Sequence, residues 1–229
     1  GTSAGRVGRP EPVGRRVGWS WPTLGLGSLL LVGAVLRFHA LGEASLWVDE
    51  VYSVAVRAQG SVVDVATATD PHPPLYYLLL SGWLDLFGTS AAAARSLSAV
   101  LGVLTVPVVY LLGRDVVNRD AGLVAAAVVA VAPMHVQYSR EARMYALLVF
   151  LTALASWCYV RSYRRAHDRR AVAAYGATAV LLLYTHAFAV FVVAAHGLHA
   201  AVVARVAPDR LPDRRRLVAL AAAMGVAYL

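Results

Sequence analysis

"AVAAYGATAVLLLYTHAFAVFVVAAHGLHAAVVA", residues 171–204, runs for 34 residues without an Asp, Glu, Lys or Arg. A helix crossing the hydrocarbon core of a bilayer needs about 20 mostly apolar residues, so this stretch is long enough for two crossings. It does not stand alone. Val17–Leu36, Leu97–Leu112, Ala121–Ser139 and Met144–Val160 are also free of those four residue types. Backbone exposed to lipid must be hydrogen-bonded within its own segment, so such runs are expected to be helices. The chain is 59% hydrophobic and 15% charged, with a mean hydropathy of +0.61. Together these features predict an all-α polytopic membrane protein; a soluble all-α protein is the alternative this composition disfavours.

The first run follows Arg6, Arg9, Arg15 and Arg16, in the manner of a signal peptide's n-region. It is too long for one, and no clear small-residue cleavage site follows before Trp47. It reads as a retained first span. Cys158, the single cysteine, lies inside an apolar run and supports neither a disulfide nor a metal site. The net charge of +8 comes from arginine alone, since all 21 basic residues are Arg. Sixteen of them fall in four groups, 6–16, 114–119, 161–170 and 205–216, each abutting an apolar run. Short basic loops beside spans face the cytoplasm. The arginines therefore read as topology determinants facing anionic membrane lipids, and nucleic acid is not an expected partner.

With residues 1–18 as a cytoplasmic tail, a first span at about Trp19–Phe38 ends outside and opens an outer loop, 39–93. The next span is about Ala94–Gly113. The segment Pro74–Phe87, "PLYYLLLSGWLDLF", is 14 residues long, carries Asp85 and is rich in aromatics. It suits an interfacial or re-entrant helix, because counting it as a span would turn every later basic group outward. Further spans are expected at about 121–138, 144–160, 171–185, 187–204 and from 217, within one membrane domain, 19–229. All remaining polar-aromatic clusters then lie on the outer side: "SLWVDEVYS" (45–53), "DPHPPLYY" (70–77), "YSREARMY" (138–145) and "YTHAF" (184–188). Four clusters on one face suggest one site.

Asp49 and Glu50 are adjacent acids among Trp47, Val48, Val51 and Tyr52. A solvated loop accommodates such a pair; partial burial at the interface would instead raise a carboxylate's pKa and suit a general base. Neighbours on a helix point about 100° apart, so the two acids do not share a proton easily and read as having separate jobs. His72 precedes two prolines that allow a helix after Pro74, either as punctuation or as a rigidly held donor to an anion or hydroxyl. Arg140, Glu141 and Arg143 occur together at the outer end of a span, against the positive-inside bias. On a helix Arg140 and Arg143 share one face, and Glu141 and Tyr145 another. Two arginines beside the bilayer suit a phosphate or pyrophosphate clamp; a structural Glu141–Arg143 ion pair is the alternative. Tyr184, Thr185 and His186 interrupt the long run where it turns, and read as a loop or as site wall. His135, His196 and His199 read as packed or lumen-facing. No spacing makes a strong metal signature, and no Gly-rich phosphate loop follows a strand, so a nucleotide donor is not supported.

"SLWVDEVYS", "HPPLYYLLL", "SREARMYALL" and "YTHAFA", in this order, closely resemble family 39-like glycosyltransferases of the GT-C superfamily. Protein O-mannosyltransferases and lipid A aminoarabinose transferases are relatives. The resemblance covers about residues 20–205; each motif is weak alone, and four in register are specific. It implies a GT-C-type transmembrane helical bundle with outer-face juxtamembrane helices in the plasma membrane. It also implies a polyprenyl-phosphate sugar donor and an acceptor hydroxyl on a glycan, lipid or protein. By that likeness Asp49 is the base that deprotonates the acceptor, Glu50 positions substrate, and attack at the anomeric carbon inverts configuration and expels the lipid phosphate. Arg140 and Arg143, with His72, are then the donors to the leaving phosphate. Trp47, Tyr52, Tyr76, Tyr138, Tyr145, Glu141 and His186 line the site. No cofactor is fixed, although two acids and His72 are of the types that hold a divalent cation. Members commonly run to about twice this length, so the chain reads as the catalytic half of a longer product. A transporter or lipid-carrier flippase is the rival reading. It would put ionisable groups and broken helices near the membrane midplane, often with internal repeats. An assembly subunit, with dispensable acids, is a third.

Overall fold

A computed structural model describes residues 21–57, 73–164 and 169–206. The Arg-rich tail 1–18, the start of the first span, His72 and the span from 217 lie outside them. The described residues are helical: α1 (Trp21–Phe38), α2 (Val48–Arg57), α3 (Leu75–Phe87), α4 (Ala91–Val116), α5 (Arg119–Val131), α6 (Pro133–Tyr138), α7 (Tyr145–Arg164), α8 (Arg169–Leu183) and α9 (Ala189–Val206). Among the described residues, three segments are long and apolar enough to cross a membrane: Ala91–Val116, Tyr145–Ser162 and Ala189–Val206. The 34-residue run divides at Tyr184–Phe188 between α8 and α9, and of these two helices α9 is among the three segments while the 15-residue α8 is not.

Helix α4 is the central post. It packs against α1, α5 and α7, and α7 in turn carries α8 and α9. Ser90 caps its start, its hydroxyl accepting from Ala93 N at 3.2 Å, which satisfies one of the amides a helix N-terminus leaves bare. Asn118 caps α5 in the same way, accepting from Ala121 N at 2.9 Å. The α4–α5 hairpin closes on glycines. A Cβ added to Gly113 would sit 2.8 Å from Gly122 Cα, and one on Gly122 would sit 2.6 Å from Tyr110 O. Small residues at such a crossing let two backbones approach where lipid supplies no hydrophobic drive.

The aromatic segment forms a short helix. At 13 residues α3 is about 20 Å long, too short for a roughly 30 Å hydrocarbon core. It ends at Gly88, whose φ of 83° favours glycine. Its buried face of Tyr76, Tyr77, Leu80 and Leu84 joins one core with Leu97, Leu101, Leu147 and Leu151.

Two expectations need correction. Residues 121–138 are not one continuous helix. Pro133 has no N–H, Ala132 is extended (φ −57°, ψ 118°), and the chain restarts as α6. Val129 O therefore loses its helical donor and Ala130 O is left at the break. Arg37 of α1, fully buried, takes both: Nη2 donates to Val129 O at 3.1 Å and Nη1 to Ala130 O at 2.9 Å. Its Nη2 also meets His135 Nδ1 at 2.6 Å, which makes that nitrogen the acceptor. The second correction concerns 139–144. This segment is a turn between α6 and α7, so Arg140 and Arg143 do not share a helix face.

Candidate active site

The polar-aromatic clusters meet at one end of the bundle, and Glu50 is the knot that ties them. It is fully buried at the third position of α2. Its Oε2 accepts from Trp47 N at 3.2 Å, the return half of a capping box. Arg95 of α4 donates Nε to Oε1 at 2.8 Å and Nη2 to Oε2 at 2.6 Å, a bidentate pair. Ala142 N, in the turn before α7, donates to Oε1 at 2.8 Å. The remaining Arg95 donors go to Leu41 O (3.0 Å), Ala44 O (2.8 Å) and Ser45 O (3.0 Å), which engages all five of its N–H groups. Burial alone would raise the Glu50 carboxyl; the Arg95 and backbone hydrogen bonds outweigh it and hold the carboxyl below the ordinary glutamate range.

Asp49, one position earlier, points elsewhere, as the rotation between helix neighbours requires. Its side chain is 47% exposed and its Oδ2 lies 4.0 Å from Nη2 of the buried Arg143. Arg143 Nη1 is 3.4 Å from both Asp49 O and Ser53 Oγ. Its Nε is buried with no hydrogen-bond partner, so the cation beside Asp49 keeps donor capacity. Arg140 is spent differently, its Nη1 donating to Leu36 O at 3.1 Å. Glu141 does not pair with Arg143. Its Oε1 meets Gln137 Nε2 at a long 3.5 Å, and its Oε2 is buried without a partner. Burial, followed by the nearby Glu50 charge, pushes its carboxyl up despite the arginines around it.

The aromatic clusters close the wall. Tyr145 stands 4.9 Å from Tyr138 and 6.3 Å from the buried His186, ring centre to ring centre. Leu75 N donates to Tyr184 O at 3.1 Å, which joins the start of α3 to the α8–α9 turn. Tyr76 OH meets Ser98 Oγ at 3.0 Å, and Ser98 Oγ donates to Arg143 O at 3.2 Å. Tyr52, exposed on α2, lies three positions after Asp49. His72 lies outside the described residues, so its distance to Asp49 is not part of the geometry. Among the described residues no three His, Cys, Asp or Glu side chains gather as metal ligands do.

Sequence reasoning passed over Arg37, Arg95 and Ser98. A signal for the first two existed: Arg37, Arg57, Arg95, Arg140 and Arg143 are the five arginines outside the four basic groups. Four of these five are the ones that build or brace this end of the bundle.

A model of the dolichyl-phosphate-mannose-protein mannosyltransferase family matches residues 71–229. Among solved structures, the chain is similar to the S. cerevisiae protein O-mannosyltransferase Pmt1–Pmt2 complex bound to the sugar donor. The TM-score is 0.72 at 22% identity, covering 90% of this chain and 31% of that chain. At that identity the likeness is one of fold, and the chain spans about a third of the relative's length. No curated protein sequence gives a significant match.

Proposed function

The chain belongs to the dolichyl-phosphate-mannose-protein mannosyltransferase family and has its GT-C-type membrane fold, and we propose that it transfers a sugar from a polyprenyl-phosphate donor to an acceptor hydroxyl. One observation carries this reading. Of the two adjacent acids, Glu50 is saturated with hydrogen bonds, while Asp49 is half-exposed beside a buried arginine with an unused donor. A general base needs an accessible carboxylate, and a departing phosphate needs a cation close by.

In this reading Asp49 takes the proton of the acceptor hydroxyl. The hydroxyl oxygen forms its bond to the anomeric carbon from the face opposite the phosphate. The bond from that carbon to the phosphate oxygen breaks, and its electron pair leaves with the lipid phosphate. A single displacement of this kind inverts the anomeric centre. Arg143 takes up the charge gathering on the phosphate. His72 is a further candidate donor, while Arg140, Glu141, Tyr52, Tyr145 and His186 border the space for sugar and phosphate. Glu50 positions substrate indirectly, by fixing α2 and the 139–144 turn. The positive-inside pattern supports a cytoplasmic N-terminus in the plasma membrane and a site at the outer face.

The test is Asp49→Asn in membranes supplied with a polyprenyl-phosphate mannose donor. Transfer should fall by a factor of about 10²–10⁴, the range for a lost general base. Wild-type turnover at equal protein level would remove Asp49 from this role. For orientation, Gln137→Cys should react with an impermeant maleimide on intact cells; reaction only after lysis would reverse the topology.

A further inference from the structure

Ser53 stands between Asp49 and Arg143. It lies one turn after Asp49 on α2, on the same face, and is 2% exposed where the Asp49 side chain is 47% exposed. Its hydroxyl has one proton, which goes to Asp49 O at 2.9 Å, a back-bond that serine makes inside helices. What remains on Oγ is acceptor capacity. Arg143 Nη1 approaches it to 3.4 Å, and a guanidinium can only donate, so the chain has one direction: Arg143 to Ser53 to Asp49 O. Nη1 also lies 3.4 Å from Asp49 O itself. One end of the guanidinium is thus met by two neutral oxygens of α2.

The other end faces the acid. Arg143 Nη2 is 4.0 Å from Asp49 Oδ2, within ion-pair range yet too far for a hydrogen bond. Opposite charges at that separation attract, and a shift of about 1.2 Å would close them into a charge-assisted hydrogen bond of about 2.8 Å. In that closed pair the lone pairs of the acid would face the arginine instead of an incoming hydroxyl. The guanidinium edge would be taken by the acid instead of by a phosphate. The backbone around Arg143 is already fixed, because Glu50 Oε1 accepts from Ala142 N at 2.8 Å and Arg143 O accepts from Ser98 Oγ at 3.2 Å. What is left to set is the position of the guanidinium, and Ser53 meets it there.

We propose that Ser53 is a positioning residue that holds Arg143 off Asp49, so that the acid stays open to the acceptor and the cation to the phosphate. This rests on the roles given to Asp49 and Arg143 in the proposed function. Ser53 itself is buried and touches neither substrate; it acts through Arg143.

Titration calorimetry of the full chain in detergent with farnesyl phosphate, a short polyprenyl phosphate, tests this without turnover. Ser53→Ala should weaken binding about tenfold, the low end of what displacing a hydrogen bond between charged groups costs. Ser53→Thr keeps the hydroxyl and should stay within about twofold of wild type. In an Asp49→Asn background Arg143 has no charged acid to close on, and there Ser53→Ala should change binding by less than about twofold. Equal weakening in both backgrounds would mean that Ser53 only packs, and would overturn the proposal. So would wild-type binding in Ser53→Ala, or a loss in Ser53→Thr as large as in Ser53→Ala. Arg143→Gln separates the underlying reading: if it binds farnesyl phosphate as the wild type does, Arg143 is not the phosphate cation, and the proposal falls with that role.

Discussion

Arg37→Met is the most informative perturbation of the helix break, and its value lies in combination with Pro133→Ala. Arg37 donates to two carbonyls exposed by that break, Val129 O and Ala130 O. A buried acceptor left unsatisfied costs about 1–3 kcal/mol, so losing both donors costs about 2–6 kcal/mol. Removing a charge from a membrane-facing bundle returns about 2.5–3.5 kcal/mol, so the net loss for Arg37→Met alone is small or moderate. The coupling is the cleaner quantity. An alanine at position 133 restores the N–H that Val129 O lacks, and at least one orphaned carbonyl no longer depends on Arg37. The double variant should therefore be more stable than the sum of the singles by about 1–3 kcal/mol. Urea unfolding in mixed micelles, followed by tryptophan fluorescence, measures this. Additivity within about 0.5 kcal/mol would refute the reasoning. Pro133→Ala alone should hold or raise stability and lower transfer, because straightening the break moves the turn that carries Ala142 and Arg143.

Glu50→Ala leaves Arg95 buried without its acid and should cost about 3–5 kcal/mol, whereas Asp49→Asn should stay within about 0.5 kcal/mol of wild type; the same unfolding assay separates them. The Glu50 carboxyl is depressed in the folded state, so its stabilisation is complete above the ordinary value of about 4.5 and is lost as pH falls from there through the lower folded value. Glu50→Gln should flatten the stability–pH curve in that window, and an unchanged acid limb would count against the ion pair's contribution. Gly102→Ala would place a Cβ 2.6 Å from Ser139 Cβ and 2.8 Å from Arg37 Nε. Overpacking of this kind should cost about 1–3 kcal/mol, and the thermal midpoint reports it.

The helical membrane fold was legible because its signal is additive: each charge-free run states its own length. The short length of the aromatic helix and the division of residues 171–204 followed from the same reasoning. What escaped were features set by partners far away in sequence. The helix interrupted at Pro133 reads as continuous by hydropathy, since proline inside a span is tolerated when a neighbour takes the freed carbonyls. Here that neighbour, Arg37, comes from a helix 92 residues earlier. The shared face assigned to Arg140 and Arg143 rested on unbroken helical periodicity through a segment that turns. That Asp49 and Glu50 point in different directions was legible from the rotation between helix neighbours. Which of the two is locked was not, because Arg95 and Ala142 N, the groups that lock it, lie 45 and 92 positions downstream.

Those separations also set an order of assembly during synthesis. Glu50 emerges with the first loop, but its guanidinium partner arrives only with the helix that begins at Ala91, and its last backbone donor only with Ala142. At roughly 5–20 residues per second, the ribosome needs about 5–18 s to add the 92 residues from Glu50 to Ala142. Until Arg95, 45 residues on, has been added, the acid stays hydrated, because burying it unpaired costs too much. The first loop therefore cannot collapse onto the bundle early. A nascent chain arrested before residue 95 would carry an open loop, accessible to a protease added on its side of the membrane, and one arrested well beyond residue 142 would be closed.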